Sequence, residues 1–353
     1  MRIGHVLGIH RVIEPEGALP QPSWRLDNSP ELYDNELLID VTTLNIDSAS
    51  FKQMKEEADG DLEKVKEIIL KTVETRGKQH NPVTGSGGML IGRIKEIGKN
   101  HPALKEGFQI GDEIATLVSL SLTPLSIEKI LSVHEKTGQV EIKGEAVLFA
   151  SGIFAKLPSD LPKSLALAVL DVAGAPAQTS KLVKPGQTVV VLGAGGKSGL
   201  LSLYQAKKQI GSNGKIIALE YGEEAIQQLK RLQLADEIYQ ADARNAPEVL
   251  RIVEQATNGQ LADVTINCVN VPNTELSSIL ATKDEGKIYF FSMATSFTSA
   301  ALGAEGFGKD VEMIIGNGYT KGHAEIALNT IRESIQLRDW FEKKYVLESD
   351  HNE

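Results

Sequence analysis

The chain has 353 residues, more than one hydrophobic core usually covers, so two domains are expected. A formal net charge of −10 argues against a nucleic-acid partner, because phosphate binding needs clustered Lys and Arg. The single cysteine, Cys268, excludes an internal disulfide and a cysteine-built zinc cluster; with no bilayer-length apolar run and no signal-peptide core, a cytoplasmic protein is expected.

The first half reads as β-rich. Residues 36–41, 87–97, 113–118 and 139–149 have strand patterning, with turns at Gly111-Asp112 and Thr137-Gly138. Between them, 54–77 reads as one charged amphipathic helix, with Leu62, Val65, Ile69 and Val73 at helical spacing and Gly77 in the place of a C-cap. Pro158 and Pro162 punctuate the chain. The apolar run 165–182 predicts a helix that Pro176 breaks or kinks. Beyond it, short apolar strands (188–192, 215–220, 237–239, 264–268, 287–292) alternate with helices (198–210, 223–232), which predicts a parallel sheet covered on both faces. Residues 323–345 read as one or two helices.

The densest chemical signal is Val189-Val-Val-Leu-Gly-Ala-Gly-Gly-Lys-Ser-Gly199, which follows a strand and opens a helix, as a dinucleotide-binding turn requires. Gly193 permits the tight turn, Gly195 and Gly196 let backbone approach a pyrophosphate, and Ser198 or Gly199 allows close helix packing. The free N–H groups from Lys197 onward would face the phosphates. A P-loop fails on spacing, since Val191 stands where that motif needs glycine. Glu220 ends the next strand, 21 residues after Gly199, where a carboxylate accepts from a ribose 2′-OH and repels a 2′-phosphate. NAD is therefore expected over NADP; the alternative for Glu220 is a solvated strand-end acid. Asp242 either borders an adenine pocket or caps the helix before Pro247. Cys268, Val269 and Asn270, with Met293, Ala294 and Thr295, end later strands and would flank the nicotinamide end. An inert buried thiol is the commoner fate of a cysteine such as Cys268.

The order of parts resembles the medium-chain dehydrogenase/reductase superfamily. Gly88-Met-Leu-Ile-Gly-Arg-Ile-Lys-Glu-Ile-Gly98 with Phe108-Gln-Ile-Gly-Asp-Glu-Ile-Ala115, Lys156-Leu-Pro-Ser-Asp160, and Val183-Lys-Pro-Gly-Gln-Thr-Val-Val-Val-Leu-Gly193 are similar to its signature segments. The resemblance implies a GroES-like catalytic domain over 1–160 with a helical insertion at 54–77. It implies a doubly wound Rossmann domain over 161–322, a helical segment over 323–353, and a homodimer or homotetramer. Zinc members carry cysteine where this chain has Thr42-Thr-Leu-Asn-Ile-Asp47, and none stands near Asp171-Val-Ala-Gly174, so no catalytic metal is expected. Three segments look closer to the L-erythro-3,5-diaminohexanoate dehydrogenases of lysine fermentation: 80–92, 171–179, and 291–297 with Ala304-Glu-Gly306. That resemblance implies NAD-dependent oxidative deamination at C3, giving 5-amino-3-oxohexanoate, ammonium and NADH. Two alternatives are a quinone or enoyl reductase of the same superfamily and a nicotinamide-binding protein without catalysis.

A diamino-acid substrate sets requirements. Its amine must be neutral before C3 can be oxidised, so a proton acceptor is needed, and its charged ends need partners. Asp171, in an apolar segment where superfamily members line the cleft, is the first candidate for amine partner or base; otherwise it is a helix acid bonded to nearby backbone. Asp47 and Ser48 lie where related chains place polar site residues, with a simple turn as the alternative. His80 has the titration range of a proton relay. Thr84 and Ser86 could take a carboxylate, and Glu305 and His323 are further candidates.

Overall fold

The structure is a computed structural model that describes residues 2–346 except 82–84, 86, 136, 293 and 317; the side chains of Ser48 and Ala49 also lie outside the description. The chain divides into two compact units, Met1–Lys163 and Ser164–Glu353.

The first unit contains strands β1 (Val12–Glu14), β2 (Arg25–Leu26) and β3 (Glu36–Asn45), helices α1 (Ser48–Glu57) and α2 (Leu62–Arg76), then β4 (Met89–Ile97), β5 (Glu113–Thr116), β6 (Leu125–His134), β7 (Gln139–Phe149) and β8 (Phe154–Lys156). β1 and β2 form a small antiparallel ribbon; the others make one antiparallel sheet in the order β6-β7-β3-β4-β5-β8. Strand β6 has no counterpart in the sequence reading. Two register shifts in its pairing with β7 interrupt the alternation of faces, so no clean period of two survives in its residues.

The predicted helix at 54–77 is two helices. Asp59 and Gly60 take left-handed backbone (φ 53 and 81), and Asp61 accepts hydrogen bonds from the Glu63 and Lys64 amides to cap α2. At the other end Gly77 (φ 65) donates its N–H to Val73 O. Of the predicted stripe, Val65, Ile69 and Val73 are buried in one apolar cluster with Leu37, Ile39 and Leu125, whereas Leu62 is only half-buried.

A polar knot lies within this unit. Arg11 and Glu36 are both buried and bonded in fork geometry, Nε to Oε1 at 2.8 Å and Nη2 to Oε2 at 2.6 Å. The same guanidinium donates to Ser29 O at 2.8 Å and Glu31 O at 2.7 Å, and His10 Nε2 lies 2.8 Å from Glu36 Oε1. Burial alone would raise the Glu36 carboxyl. The hydrogen bonds from Arg11, His10 and the Tyr33 amide outweigh it and hold the group down at about 2.

The second unit runs α3 (Lys163–Leu170), α4 (Gly174–Leu182), β9 (Thr188–Leu192), α5 (Lys197–Ile210), β10 (Lys215–Glu220), α6 (Glu223–Leu232), β11 (Glu237–Gln240), α7 (Ala246–Thr257), β12 (Ala262–Asn267), α8 (Glu275–Ala281), β13 (Thr282–Phe290), α9 (Phe297–Phe307), β14 (Glu312–Ile315), α10 (His323–Glu333) and α11 (Ile335–Tyr345). Its six strands pair in parallel in the order β11-β10-β9-β12-β13-β14, the doubly wound arrangement that the alternation predicted. The break in the apolar run falls at 171–173, ahead of Pro176. The proline sits in the first turn of α4, where its missing N–H costs nothing. Residues 323–345 form two helices, and Ser334 Oγ accepts from the Leu337 amide to start the second. Among the described residues no helix is long and apolar enough to cross a membrane.

Candidate functional site

Strand order reverses between β9 and β12, and ligands of such sheets bind beyond the strand ends at that crevice. The glycine turn occupies this place. Leu192 pairs with Asn267, and the Cys268 amide donates to Leu192 O at 2.9 Å, so 193–199 and 268–270 lie side by side.

Each glycine has its own reason. Gly193 has φ +70, and a Cβ there would stand 2.9 Å from the Val269 nitrogen. At Gly199 a Cβ would stand 2.3 Å from Gly193 O and 2.7 Å from Ala194 carbonyl atoms, so this residue, not Ser198, lets the helix close on the turn. A Cβ on Gly196 would meet only Gly193 O, at 4.0 Å, which leaves open space at the N-terminus of α5. Gly195 faces Glu220: its amide donates to Glu220 Oε2 at 2.8 Å, while Oε1 accepts from the Tyr221 amide at 2.8 Å. Glu220 is therefore an oriented carboxylate across the turn rather than a solvated strand-end acid. These features fit a dinucleotide: a backbone cradle at a helix N-terminus, with an oriented carboxylate beside it.

The neighbouring segments are less uniform. Cys268 is half-buried, and its apolar surroundings push the thiol up to about 11 against the Ser198 and Ser202 hydroxyls, so it is protonated at neutral pH. The Val269 amide donates to Asn267 Oδ1 at 3.0 Å, and Asn270 is exposed. β13 ends in register with β12, which brings Ala294 and Thr295 to the same sheet edge, with the Ala294 amide on Ser292 Oγ at 3.1 Å; Met293 lies outside the described residues. Asp242 holds Arg244, Nη2 to Oδ2 at 2.7 Å, and this pairing lowers its carboxyl below the usual range. It does not cap α7: Asn245 does, accepting from the Glu248 amide.

Asp171 departs from the expectation of a buried acid. It is exposed at the C-terminal end of α3 because the helix turns there, and Lys197 Nζ lies 2.7 Å from Oδ2. Its partner is thus the first residue of the helix that opens the glycine turn. Glu305 is exposed on α9, and His323 is buried against Tyr319, where burial lowers its imidazole.

In the first unit, Asp47 caps α1. Its Oδ1 accepts from the Ser50 amide at 2.9 Å and its Oδ2 from Ser50 Oγ at 2.5 Å. Asn81 Nδ2 donates to Ser50 Oγ at 3.0 Å, which links Asp47 to the segment that carries His80. Burial, with the nearby charges of Lys78 and Arg76, pushes His80 down to about 4, and its Nδ1 is buried without a partner. Lys78 is fully buried; its Nζ donates to Pro20 O at 2.6 Å and Gln21 O at 3.0 Å, and burial pushes it down to about 7. Thr84 and Ser86, and the Ser48 side chain, lie outside the description. A cavity of about 530 Å³ opens here, walled by α1, α2 and residues 79–81. Its inner residues Arg76 and Gln79 were absent from the sequence reading, and neither has a motif that could have marked it.

The parallel sheet and glycine turn define a two-unit chain with a dinucleotide-binding fold, and solved structures share that fold. The CurK enoyl reductase superposes with a TM-score of 0.54 at 16% identity, covering 92% of this chain and 86% of that one. A family profile described as the L-erythro-3,5-diaminohexanoate dehydrogenase N-terminal domain matches residues 10–158. An L-erythro-3,5-diaminohexanoate dehydrogenase of Acetoanaerobium sticklandii is 56% identical over 96% of this chain and 98% of its own length. One of Fusobacterium nucleatum is 54% identical over 98% of this chain and 100% of its own. The chain belongs to the L-erythro-3,5-diaminohexanoate dehydrogenase family.

Proposed function

We propose that the chain catalyses the NAD-dependent oxidative deamination of L-erythro-3,5-diaminohexanoate at C3, giving 5-amino-3-oxohexanoate and ammonium. The observation that carries this reading is identity above one half, over nearly the whole length, with two dehydrogenases of that name. The glycine turn at the switch point supports it from the geometry. The amides that open α5 would hold the pyrophosphate and Glu220 the adenosine ribose, with 268–270 and 294–295 beside the nicotinamide end. When bound, the nicotinamide cofactor accepts the two electrons and the hydrogen that leave C3.

The remaining tasks fall to side chains. An ammonium has no lone pair to share with C3, so its proton must leave first. Asp47, oriented by Ser50, is assigned as the carboxylate that takes that proton; once C3 is oxidised, water adds to the iminium carbon and supplies the 3-oxo oxygen as ammonium leaves. His80, at about 4, is neutral at physiological pH and has little affinity for a proton; it serves as a hydrogen-bonding group rather than a carrier. Asp171 is assigned a positioning role through Lys197, whose ammonium it pairs at the first residue of α5.

The experiment is NADH formation from 3,5-diaminohexanoate by the purified chain, with a quinone and NADPH as the comparison. Turnover of the diamino acid supports the reading, and turnover of the quinone alone rejects it. Cofactor choice is tested in the same assay. Glu220→Ser is expected to raise KM for NAD by about tenfold, through loss of charge-assisted hydrogen bonds, and to narrow its advantage over NADP. An unchanged ratio of kcat/KM for the two cofactors would remove Glu220 from that role.

A further inference from the structure

The cavity between α1 and α2 contains polar groups that the fold leaves unanswered. Gln79 is only 2% exposed and lines the cavity, yet its Oε1 has no hydrogen-bond donor. Its amide nitrogen is spent on the Met54 sulfur at 3.8 Å. A buried acceptor without a donor is disfavoured unless something supplies one. Arg76 stands on the same wall. Its guanidinium lies 3.8 Å above the Trp24 ring, and Nε donates to Trp24 O at 2.7 Å. Among the described residues no carboxylate pairs with it.

The charges around the cavity leave a residue of positive potential. By formal charge the lining holds Glu57 and Glu67, exposed at the rim, against Lys64, Lys71 and Arg76, one positive charge in excess. Burial first, and then the charges of Lys78 and Arg76, disfavour protonation of His80 on the same wall. An occupant that answers all of this carries an anion for the guanidinium and an N–H donor for the Gln79 oxygen. Its body must be short and flexible enough for about 530 Å³. A planar guanidinium with free N–H groups favours a carboxylate, which it can grip through two bonds.

We propose that this cavity is the recognition site for the substrate's acid end, Arg76 holding the carboxylate of a β-amino acid and Gln79 Oε1 accepting from its ammonium or amine. The inference rests on the amino-acid substrate proposed above and adds two specificity-determining residues to it.

The test is calorimetric titration of the cofactor-loaded protein with 3,5-diaminohexanoate and with 2,4-diaminopentane, the same diamine without its carboxylate. The wild-type chain should bind the acid about 10- to 100-fold more tightly, the worth of a charge-assisted bidentate pair. Arg76→Gln should bind the two compounds alike. Gln79→Met removes an unanswered acceptor and conserves volume, so it should melt at or above the wild-type temperature yet bind the acid about tenfold more weakly. Parallel kinetics should place both losses in KM more than in kcat. Equal binding of the two compounds by the wild-type chain, or wild-type affinity for the acid in Arg76→Gln, overturns the proposal. Acid binding that depends on Arg76 without NADH formation keeps this site and rejects the reaction, so the two readings fail separately.

Discussion

Gly199→Ala should abolish useful cofactor binding, lowering NADH affinity by at least about 100-fold. The added methyl would stand 2.3 Å from Gly193 O and 2.7 Å from the Ala194 carbonyl, and both obstacles are backbone that no rotamer change can move. Helix α5 must therefore withdraw from the turn, which takes its N-terminal amides away from the phosphates and overpacks the helix–sheet contact by roughly 1–3 kcal/mol. Gly196→Ala is the informative partner. Its methyl would meet nothing closer than 4.0 Å, so the variant should melt like the wild type while losing about tenfold in affinity, because its side chain points into space left for the ligand. NADH fluorescence titration with thermal melts separates the two effects. A Gly199→Ala protein that binds NADH normally would remove the turn from the cofactor site.

Glu36→Gln should destabilise the first unit by up to about 3–5 kcal/mol, since it takes from the buried Arg11 guanidinium its nearer counter-charge and leaves only the half-exposed Asp27 carboxylate, 3.6 Å from Nη1. The double variant Arg11→Met with Glu36→Leu should recover only part of this loss. The backbone carbonyls of Ser29 and Glu31 lose their donors when the guanidinium goes. The pH dependence has a definite sign. The folded-state carboxyl lies at about 2 against an unfolded value of 4.5. The contribution is thus fully present above 4.5 and is lost as pH falls from there toward 2. Denaturation midpoints followed down that window should fall more steeply in the wild type than in Glu36→Gln. Parallel acid profiles would show that this pair does not couple folding to pH.

What could be read from the residues was local. The strand, turn and helix at 188–210 form a contiguous signal, and so do the α2 stripe and its Gly77 cap, because period and capping chemistry act within one or two turns. Features made by long-range pairing were invisible. Arg11 and Glu36 meet only after β3 enters the sheet. Gln79 and Arg76 become a pair of unanswered groups only when α1 and α2 enclose them. Strand β6 lost its alternation to bulges. Asp171 looked buried because its neighbours are apolar, whereas the end of α3 turns it toward Lys197. Asp242 had the composition of a cap, but Asn245, three residues later, stands at the helix start.

The most direct test of the central claim measures NADH and ammonium together during turnover of 3,5-diaminohexanoate. Oxidative deamination at C3 predicts that the two appear in equal amounts from the first turnovers. NADH without ammonium, or no NADH while the cofactor still binds, would contradict it.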